Sequence, residues 1–331
     1  MVNLSDVQWS NTQITASLPP RPVAVFVDAT NGLGELAMKA FVTHAVQPRV
    51  YFVGRSLEAA RRVTAECVAL NPDGEYILMA SDISLIERVD EVCSRIKEKE
   101  TTINLLFQTQ MKTAEDLHLR TSLAYYSRAR FTVNLLPLIQ QATGLRRVVS
   151  VFAATKEEAV NADDFQAADL SLAAMRGHTA SLITLSMEAI AQKAPDVAFV
   201  HDYPGPVHSG IGRDFKGALW LLALLFRVLG SLFCVPEDEI GERKLFLATS
   251  ARYAPKMNDE SGVPVPPGLS VARGVDANPA SGVYSVDSDG EECGPSVMEL
   301  LGKLRRQGLP GQIWEHTVGE FVRITGRESY A

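Results

Sequence analysis

The sequence predicts an α/β protein built on a doubly wound parallel sheet, and three observations carry that prediction. The first is the stretch from Val23 to Phe41, VAVFVDATNGLGELAMKAF: an apolar run, a short Gly-bearing turn and a helical pattern. The second is the recurrence of that unit, six strand-plus-helix segments in about 205 residues with no internal repeat and no low-complexity tract. The third is the Pro19-Pro20 and Pro22 punctuation, which sets the first strand apart from what precedes it.

Taken in order, Val23–Val27 reads as a buried strand and 34–45 as the helix after it. RVYFVGRS (49–56) is the second strand, and LEAARRVTAECVAL (57–70) has helical periodicity. EYILMASDIS (75–84) is the third strand, LIERVDEVCSRIKEKE (85–100) a helix, and INLLF (103–107) the fourth strand. The apolar-periodic stretch 117–142 makes a helix, RRVVSVF (146–152) the fifth strand, and 172–194 another helix. VAFVHDYPG (197–205) is a sixth strand running into a turn. A smaller region follows, with KLFLATSARYAP (244–255), a Pro/Gly-rich loop, the strand-like SGVYSVD (281–287) and a closing helical stretch over 296–325. The chain thus divides into an N-terminal arm (1–21), a nucleotide-binding core (22–215), an apolar segment (216–236) and an extension (237–331) that completes the same domain.

A net charge of −7 and a pI near 5.5 exclude the basic stripe a nucleic-acid binder needs. Cys67, Cys93, Cys234 and Cys293 have neither zinc-ligand nor disulfide-framework spacing, so no metal is expected and the thiols read as buried residues of a reducing compartment. The first residues lack the basic flank and apolar core of a signal peptide, which makes the cytoplasm the expected location. One segment complicates it: ALWLLALLFRVLGSLFCV (218–235) is long enough for a membrane span. Arg227 near its middle costs about 2.5–3.5 kcal/mol on insertion scales. The expectation is an apolar lid or a membrane-touching helix, with a true span as the alternative.

A Gly-bearing turn between strand and helix binds diphosphate because backbone N–H groups and the helix N-terminus converge there. Asp28 stands where such turns open with Gly. Its carboxylate would repel phosphate unless it points away, capping the turn's own N–H groups. At the end of the second strand Arg55 and Ser56 stand where an acidic residue would meet a ribose hydroxyl and a basic one a 2′-phosphate, which points to NADP. The ordinary alternative for Arg55 is a solvated surface Arg. Asp82 would accept from an adenine amino group or cap the following helix; Ser84 as that cap would leave Asp82 free.

The order TNGLG, YFVGRS, SDIS, INLLF, YYSRARFTVNLLPL, RVVSVFAATKE and HDYPGPVHSGIGRD resembles the short-chain dehydrogenase/reductase superfamily, from about Pro22 to Thr325. Within it the chain is similar to fungal members often encoded beside secondary-metabolite pathways. The resemblance implies a Rossmann-type fold, with Thr30, Asn31, Gly32, Leu33 and Gly34 as the phosphate turn and Arg55 with Ser56 at the 2′-phosphate. It further implies Asp82 and Ile83 beside adenine, and Pro204, Gly205 and Val207 flanking the nicotinamide.

The family's chemistry needs a Tyr as proton donor, a Lys four residues later and a Ser at the substrate oxygen. Here no Tyr lies between Tyr126 and Tyr203, and no Tyr is followed four residues later by Lys. By register Leu170 or Ser171 takes the Tyr position, Ala174 or Met175 the Lys position and Ala153 the Ser position. The family's Asn falls near Ala124, and the turn after the fourth strand reads Phe107-Gln108-Thr109-Gln110. Replacement candidates are His178, sharing a helix face with the lost Lys; Tyr125 and Tyr126, the latter with Arg130 one turn on; and Tyr203 and His208 at the exit of strand six. Core packing is the ordinary alternative for the first three. His201, Asp202 and Ser150 read as sheet residues or strand-end polar groups.

Three functions follow: an NADP-dependent oxidoreductase on an apolar small molecule, a non-redox cyclase, isomerase or dehydratase on the same scaffold, and a catalytically inactive binding partner. The long helices around 125–142 and 172–194 resemble the family's subunit interface, so a homo-oligomer is expected.

Overall fold

The computed structural model describes residues 2–109, 122–167, 170–205, 235–257 and 261–329. Its strands are β1 (Val23–Val27), β2 (Arg49–Gly54), β3 (Glu75–Ala80), β4 (Leu105–Gln108), β5 (Arg147–Val151), β6 (Ala198–Asp202) and β7 (Val283–Val286). All pair in parallel in the order β3-β2-β1-β4-β5-β6-β7. Strand order reverses between β1 and β4, and such a switch point opens a crevice at the carboxyl ends of the strands. The register runs Val27–Gln108, Gln108–Ser150, Ser150–His201 and His201–Ser285 across that edge.

Both faces of the sheet are covered, so alternate residues of one strand feed two cores. Val23, Val25 and Val27 face α5 (Ile86–Lys97), α6 (Ser127–Gln140), α7 (Leu172–Ala191), α9 (Pro295–Arg306) and α10 (Leu309–Thr325). Ala24 and Phe26 face α1 (Leu4–Thr12), α3 (Gly32–His44), α4 (Leu57–Leu70) and α8 (Glu237–Thr249). A short helix, α2 (Ile14–Ser17), links the arm to β1.

The predicted helix over 117–142 resolves, within the described residues, into a π-helical turn at Ser122–Tyr126 followed by α6. The closing stretch 296–325 is two helices, because Gly308 at φ +75° ends one run and Pro310 lies in the first turn of the next. α10 packs on α7 and α5. Arg130 binds Asp90 through Nε and Nη2 at 2.7 Å each and gives Nη1 to the Glu328 carbonyl at 2.7 Å, while Arg305 of α9 binds Glu188 of α7 at 2.7 Å. These contacts cover part of the α6 and α7 surface expected to meet a second copy. A homo-oligomer built on those helices would have to use what α9 and α10 leave open.

Among the described residues no helix is long and apolar enough to cross a membrane. Of the apolar segment 218–235, all but Val235 lies outside the described residues.

Candidate functional site

β1 ends at Val27 and the chain turns into α3. Gly32 holds φ +59° with open space where a side chain would stand, and α3 starts from an exposed Asn31 whose own side chain does not cap its first N–H groups. A free helix N-terminus at the switch point offers the N–H groups and positive dipole end that hold phosphate. Thr30 is buried, and its carbonyl accepts from Arg62 Nη2 at 3.3 Å, while Arg62 also grips Glu35 at 2.6 Å, so α4 braces the turn. Leu33 is half-buried beside it. Gly34 serves close approach: a Cβ there would lie 2.4 Å from the Asp28 carbonyl oxygen and 2.9 Å from Thr109 Oγ1. Gly34→Ala is expected to cost about 1–3 kcal/mol by displacing the turn. The readout is a lower urea midpoint at unchanged slope; parental stability would show that the turn gives way freely.

Asp28 has φ +62°, a left-handed conformation that Gly adopts freely and Asp at a cost. Its backbone is fixed on both sides: the N–H donates to the Val53 carbonyl at 3.0 Å, and the carbonyl accepts from Thr109 Oγ1 at 2.8 Å. Its carboxyl makes no hydrogen bond to the turn's N–H groups among the described residues, which corrects the expectation that it caps them. Burial pushes that carboxyl up to about 6, with Arg128 and Arg55 pulling the other way.

Arg128, on α6, is a residue that sequence reasoning does not single out. Its Nη1 donates to Ser150 Oγ at 2.6 Å and to the Val151 carbonyl at 3.0 Å, whereas Nε and Nη2 are buried with no hydrogen-bond partner among the described residues. Burial pulls its guanidinium down to about 9, against the pull of Asp28. Gln108 donates to the Arg128 carbonyl at 3.1 Å, and its own Oε1 has no partner among the described residues. The available signal was a second Arg inside YYSRARFTVNLLPL, a stretch whose periodicity demands burial.

Arg55 and Ser56 are exposed at the end of β2, and Ser56 Oγ accepts from Ala59 N at 3.2 Å as the cap of α4. Asp82 is exposed, and its Oδ1 accepts from Ser84 N at 3.2 Å and Ser84 Oγ at 2.8 Å in an Asx turn. α5 begins after Leu85 with no side-chain cap. Ser84 is therefore not the helix cap, and Asp82 is engaged rather than free. Ile83 is buried beside it.

Several proton-handling candidates belong to the packing. Tyr125 bonds Thr317 Oγ1 at 2.6 Å and Tyr126 bonds His316 Nε2 at 2.7 Å, both toward α10. Burial pushes the Tyr125 phenol up to about 12 and Tyr126 higher still. Arg130, bound to Asp90, does not serve Tyr126. His178 accepts from Asn161 N at 3.2 Å and reaches the Phe165 carbonyl at 3.2 Å; burial lowers its pKa, so it is a neutral tie for the 156–167 loop.

Tyr203 differs. It is half-buried at the exit of β6, with Lys156 Nζ 5.0 Å and Arg176 Cζ 5.4 Å from its ring centre, and Lys156 reaches Asp287 at 3.4 Å. Behind it His201 accepts from Ala153 N at 3.3 Å through Nε2 and meets Thr184 Oγ1 at 2.9 Å through Nδ1. Thr184 and Ser285 donate to Glu157 Oε1 at 2.8 and 2.7 Å. Burial opposes the charge on Glu157, but these bonds and His201 hold its pKa low. Asp202 turns to the other face of the sheet and pairs with Lys244 at 2.6 Å. Pro204 and Gly205 follow, Gly205 at φ +73° with a Cβ position 2.8 Å from Ser288 Cβ. Gln110, Val207 and His208 lie outside the described residues.

No protein-family model matches the chain. It is 34% identical to the oxidoreductase AN1596 of Emericella nidulans, covering 96% of this chain and 97% of that one, and 32% identical to the oxidoreductase andH of Emericella variicolor, covering 98% of each. It is 28% identical to the short-chain dehydrogenase/reductase SAT2 of Stachybotrys chartarum, covering 89% and 90%. Among solved structures the Pseudomonas aeruginosa RhlG/NADP active-site complex matches with TM-score 0.54 at 15% identity, over 77% of this chain and 98% of that one. L-sorbose reductase from Gluconobacter frateurii matches with TM-score 0.54 at 12% identity, over 75% and 95%. The chain belongs to the short-chain dehydrogenase/reductase superfamily.

For a short-chain dehydrogenase/reductase, the residues at the start of α7 are the ones to inspect. Ser171 caps that helix, Oγ accepting from Ala174 N at 3.4 Å, and Met175 is buried one turn on. Ala153 is buried, its N–H spent on His201. Among the described residues Lys156, Arg176 and the interior Arg128 lie at this edge, none of which the motif register points to.

Proposed function

We propose that the chain is an NADP-dependent oxidoreductase of secondary-metabolite biosynthesis that acts on an apolar small molecule without the usual Tyr–Lys pair. The observation that carries this reading is the β1–α3 turn, where Gly32 leaves open space before an uncapped helix N-terminus and Arg55 stands exposed at the neighbouring strand end. Those groups fit the phosphates of NADP, as do the unspent Nε and Nη2 donors of Arg128. Thr30, Asn31, Gly32, Leu33 and Gly34 would hold the diphosphate, Arg55 with Ser56 the 2′-phosphate, Ile83 the adenine, and Pro204 with Gly205 the nicotinamide. Bound there, the dinucleotide would supply or accept a hydride; among the described residues Tyr203, with Lys156 and Arg176 against its ring, is the proton-handling group at the exit of β6. The relatives' names and the NADP in the RhlG complex support the reading.

The test is thermal. NADP at a hundred times its Kd adds about 2.7 kcal/mol, or roughly 5 °C in Tm at about 2 °C per kcal/mol for a chain this long. No shift with NADP or NADPH sinks the reading. A non-redox cyclase, isomerase or dehydratase is the second reading, favoured by Ala153, Ser171 and Met175 at the proton-handling positions. Substrate turnover with no loss of NADPH absorbance would select it.

A further inference from the structure

Each buried Arg in this fold can be asked where its donors go. Arg130 spends its guanidinium on Asp90 and on the Arg327 and Glu328 carbonyls. Arg147 gives Nη1 and Nη2 to the Leu247 and Ser250 carbonyls at the end of α8. Arg252 binds the Ser270 carbonyl and Glu291. Arg128 alone of these four sits at the carboxyl edge of β4 and β5, and among the described residues it alone has two of its three nitrogens without a hydrogen-bond partner.

That arrangement is costly for a fold and useful for a site. A desolvated guanidinium with unspent donors destabilises the empty protein, while an anionic oxygen brought to it gains charge-assisted bonds about twice as strong as neutral ones. The acidic group acting on Arg128 is Asp28, whose carboxyl makes no hydrogen bond among the described residues and which opens the β1–α3 turn. Cation, carboxyl and uncapped α3 N-terminus therefore converge on the β1–β4 switch point, with the unpartnered Gln108 Oε1 beneath them.

We infer that Arg128 is held for an anionic ligand: its Nε–H and Nη2–H are the donors to phosphate oxygens of the bound dinucleotide, and Asp28 is the internal counter-ion that those oxygens replace. The inference rests on the NADP reading for its ligand and adds two residues that no motif assigns. It explains why an Asp is tolerated at the turn: in the empty protein it offsets a charge the interior could not otherwise carry.

The experiment is a double-mutant cycle on NADP binding by calorimetry, with wild type, Arg128→Met, Asp28→Asn and the double variant. Arg128→Met is expected to weaken binding by about tenfold or more, because the ligand loses its charge-assisted donors. Asp28→Asn is expected to tighten binding about tenfold with Arg128 present and by less than about threefold in the Arg128→Met background. Binding by Arg128→Met within about twofold of wild type, or an equal effect of Asp28→Asn in both backgrounds, overturns the inference. If wild type fails to bind NADP, the functional reading fails separately. Arg128 is then read with inorganic pyrophosphate, whose stabilisation of wild type and not of Arg128→Met supports the inference, and whose failure to stabilise wild type overturns it.

Discussion

Lys244→Met is expected to lower stability by about 3–5 kcal/mol at neutral pH, the usual result of stranding one partner of a buried ion pair. Lys244 Nζ donates to both oxygens of Asp202, at 2.9 and 2.6 Å, and the two side chains are 2% and 0% exposed. Without the ammonium, Asp202 is a desolvated carboxylate with no counter-charge. Burial already raises the Asp202 pKa, with Lys244 opposing it, so removing Lys244 raises it further. A carboxyl whose native pKa exceeds its unfolded value binds more protons in the native state, and stability falls as pH rises through that window. The deficit of Lys244→Met is therefore largest at neutral pH and shrinks in acid, where the carboxyl takes up a proton. Lys244→Met/Asp202→Leu should recover most of the loss. Thermal melts check all three statements, at roughly 2 °C per kcal/mol. A deficit under about 1 kcal/mol, or one that grows toward acid, would show that water reaches the pair. The pair matters to the site because Asp202 is the last residue of β6, immediately before Tyr203, Pro204 and Gly205.

How much of this was legible follows from what each element buries. β1 reads off the sequence at its true bounds because all five residues are buried and apolar, and α4 does so because Ala60, Val63 and Cys67 mark one inward face. α1 escaped because its inward residues include Ser10 and Asn11, with Asn11 Nδ2 donating to Glu242 of α8 at 2.7 Å, so no apolar stripe announces it. α8 also escaped, although Pro236 followed by Glu237, Asp238 and Glu239 is a helix-start pattern. Gly241 weakened that pattern, yet it lets α8 approach α3, where a Cβ would lie 3.2 Å from the Leu36 carbonyl oxygen.

The site was legible where backbone makes it and illegible where long side chains do. Gly32 and Gly34 are needed by the turn itself, so their spacing survives in sequence. Arg128, Lys156 and Arg176 reach the site from separate elements, and no spacing links them. Arg128 comes from α6 and Asp28 from the end of β1, a hundred residues apart, and only the sheet order brings them together. Family registers misdirect here for the same reason: His178 shares a helix face with the position the register gives the family's Lys, yet that face is filled by the loop it ties down.

Asp28→Gly is expected to tighten NADP binding by about tenfold to a hundredfold, and both electrostatics and backbone geometry argue for it. The Asp28 carboxylate draws on the Arg128 guanidinium that the phosphate oxygens would take, so removing it leaves that cation to the ligand. The backbone at φ +62° is one that Gly takes freely, so the variant needs no rearrangement of the turn. The sign with pH is fixed by the raised carboxyl, about 6 against an ordinary 3.8. The native protein holds that proton between about pH 4 and 6 while the unfolded chain has released it, so ionising Asp28 costs the native state on the order of 3 kcal/mol by neutral pH. Lowering the pH from about 7.5 to about 5.5 neutralises Asp28 and should tighten binding in the parent. Protonation of the ligand's own 2′-phosphate, which titrates near 6, works in the opposite direction. Asp28→Gly keeps only the ligand's contribution, so its affinity should fall over the interval in which the parent's rises or holds. Titrations of both proteins at the two pH values decide the matter. Unchanged or weaker binding by Asp28→Gly at pH 7.5 would mean that the carboxyl contributes to the site rather than obstructs it, and the same slope with pH in both proteins would place the titrating group on the ligand.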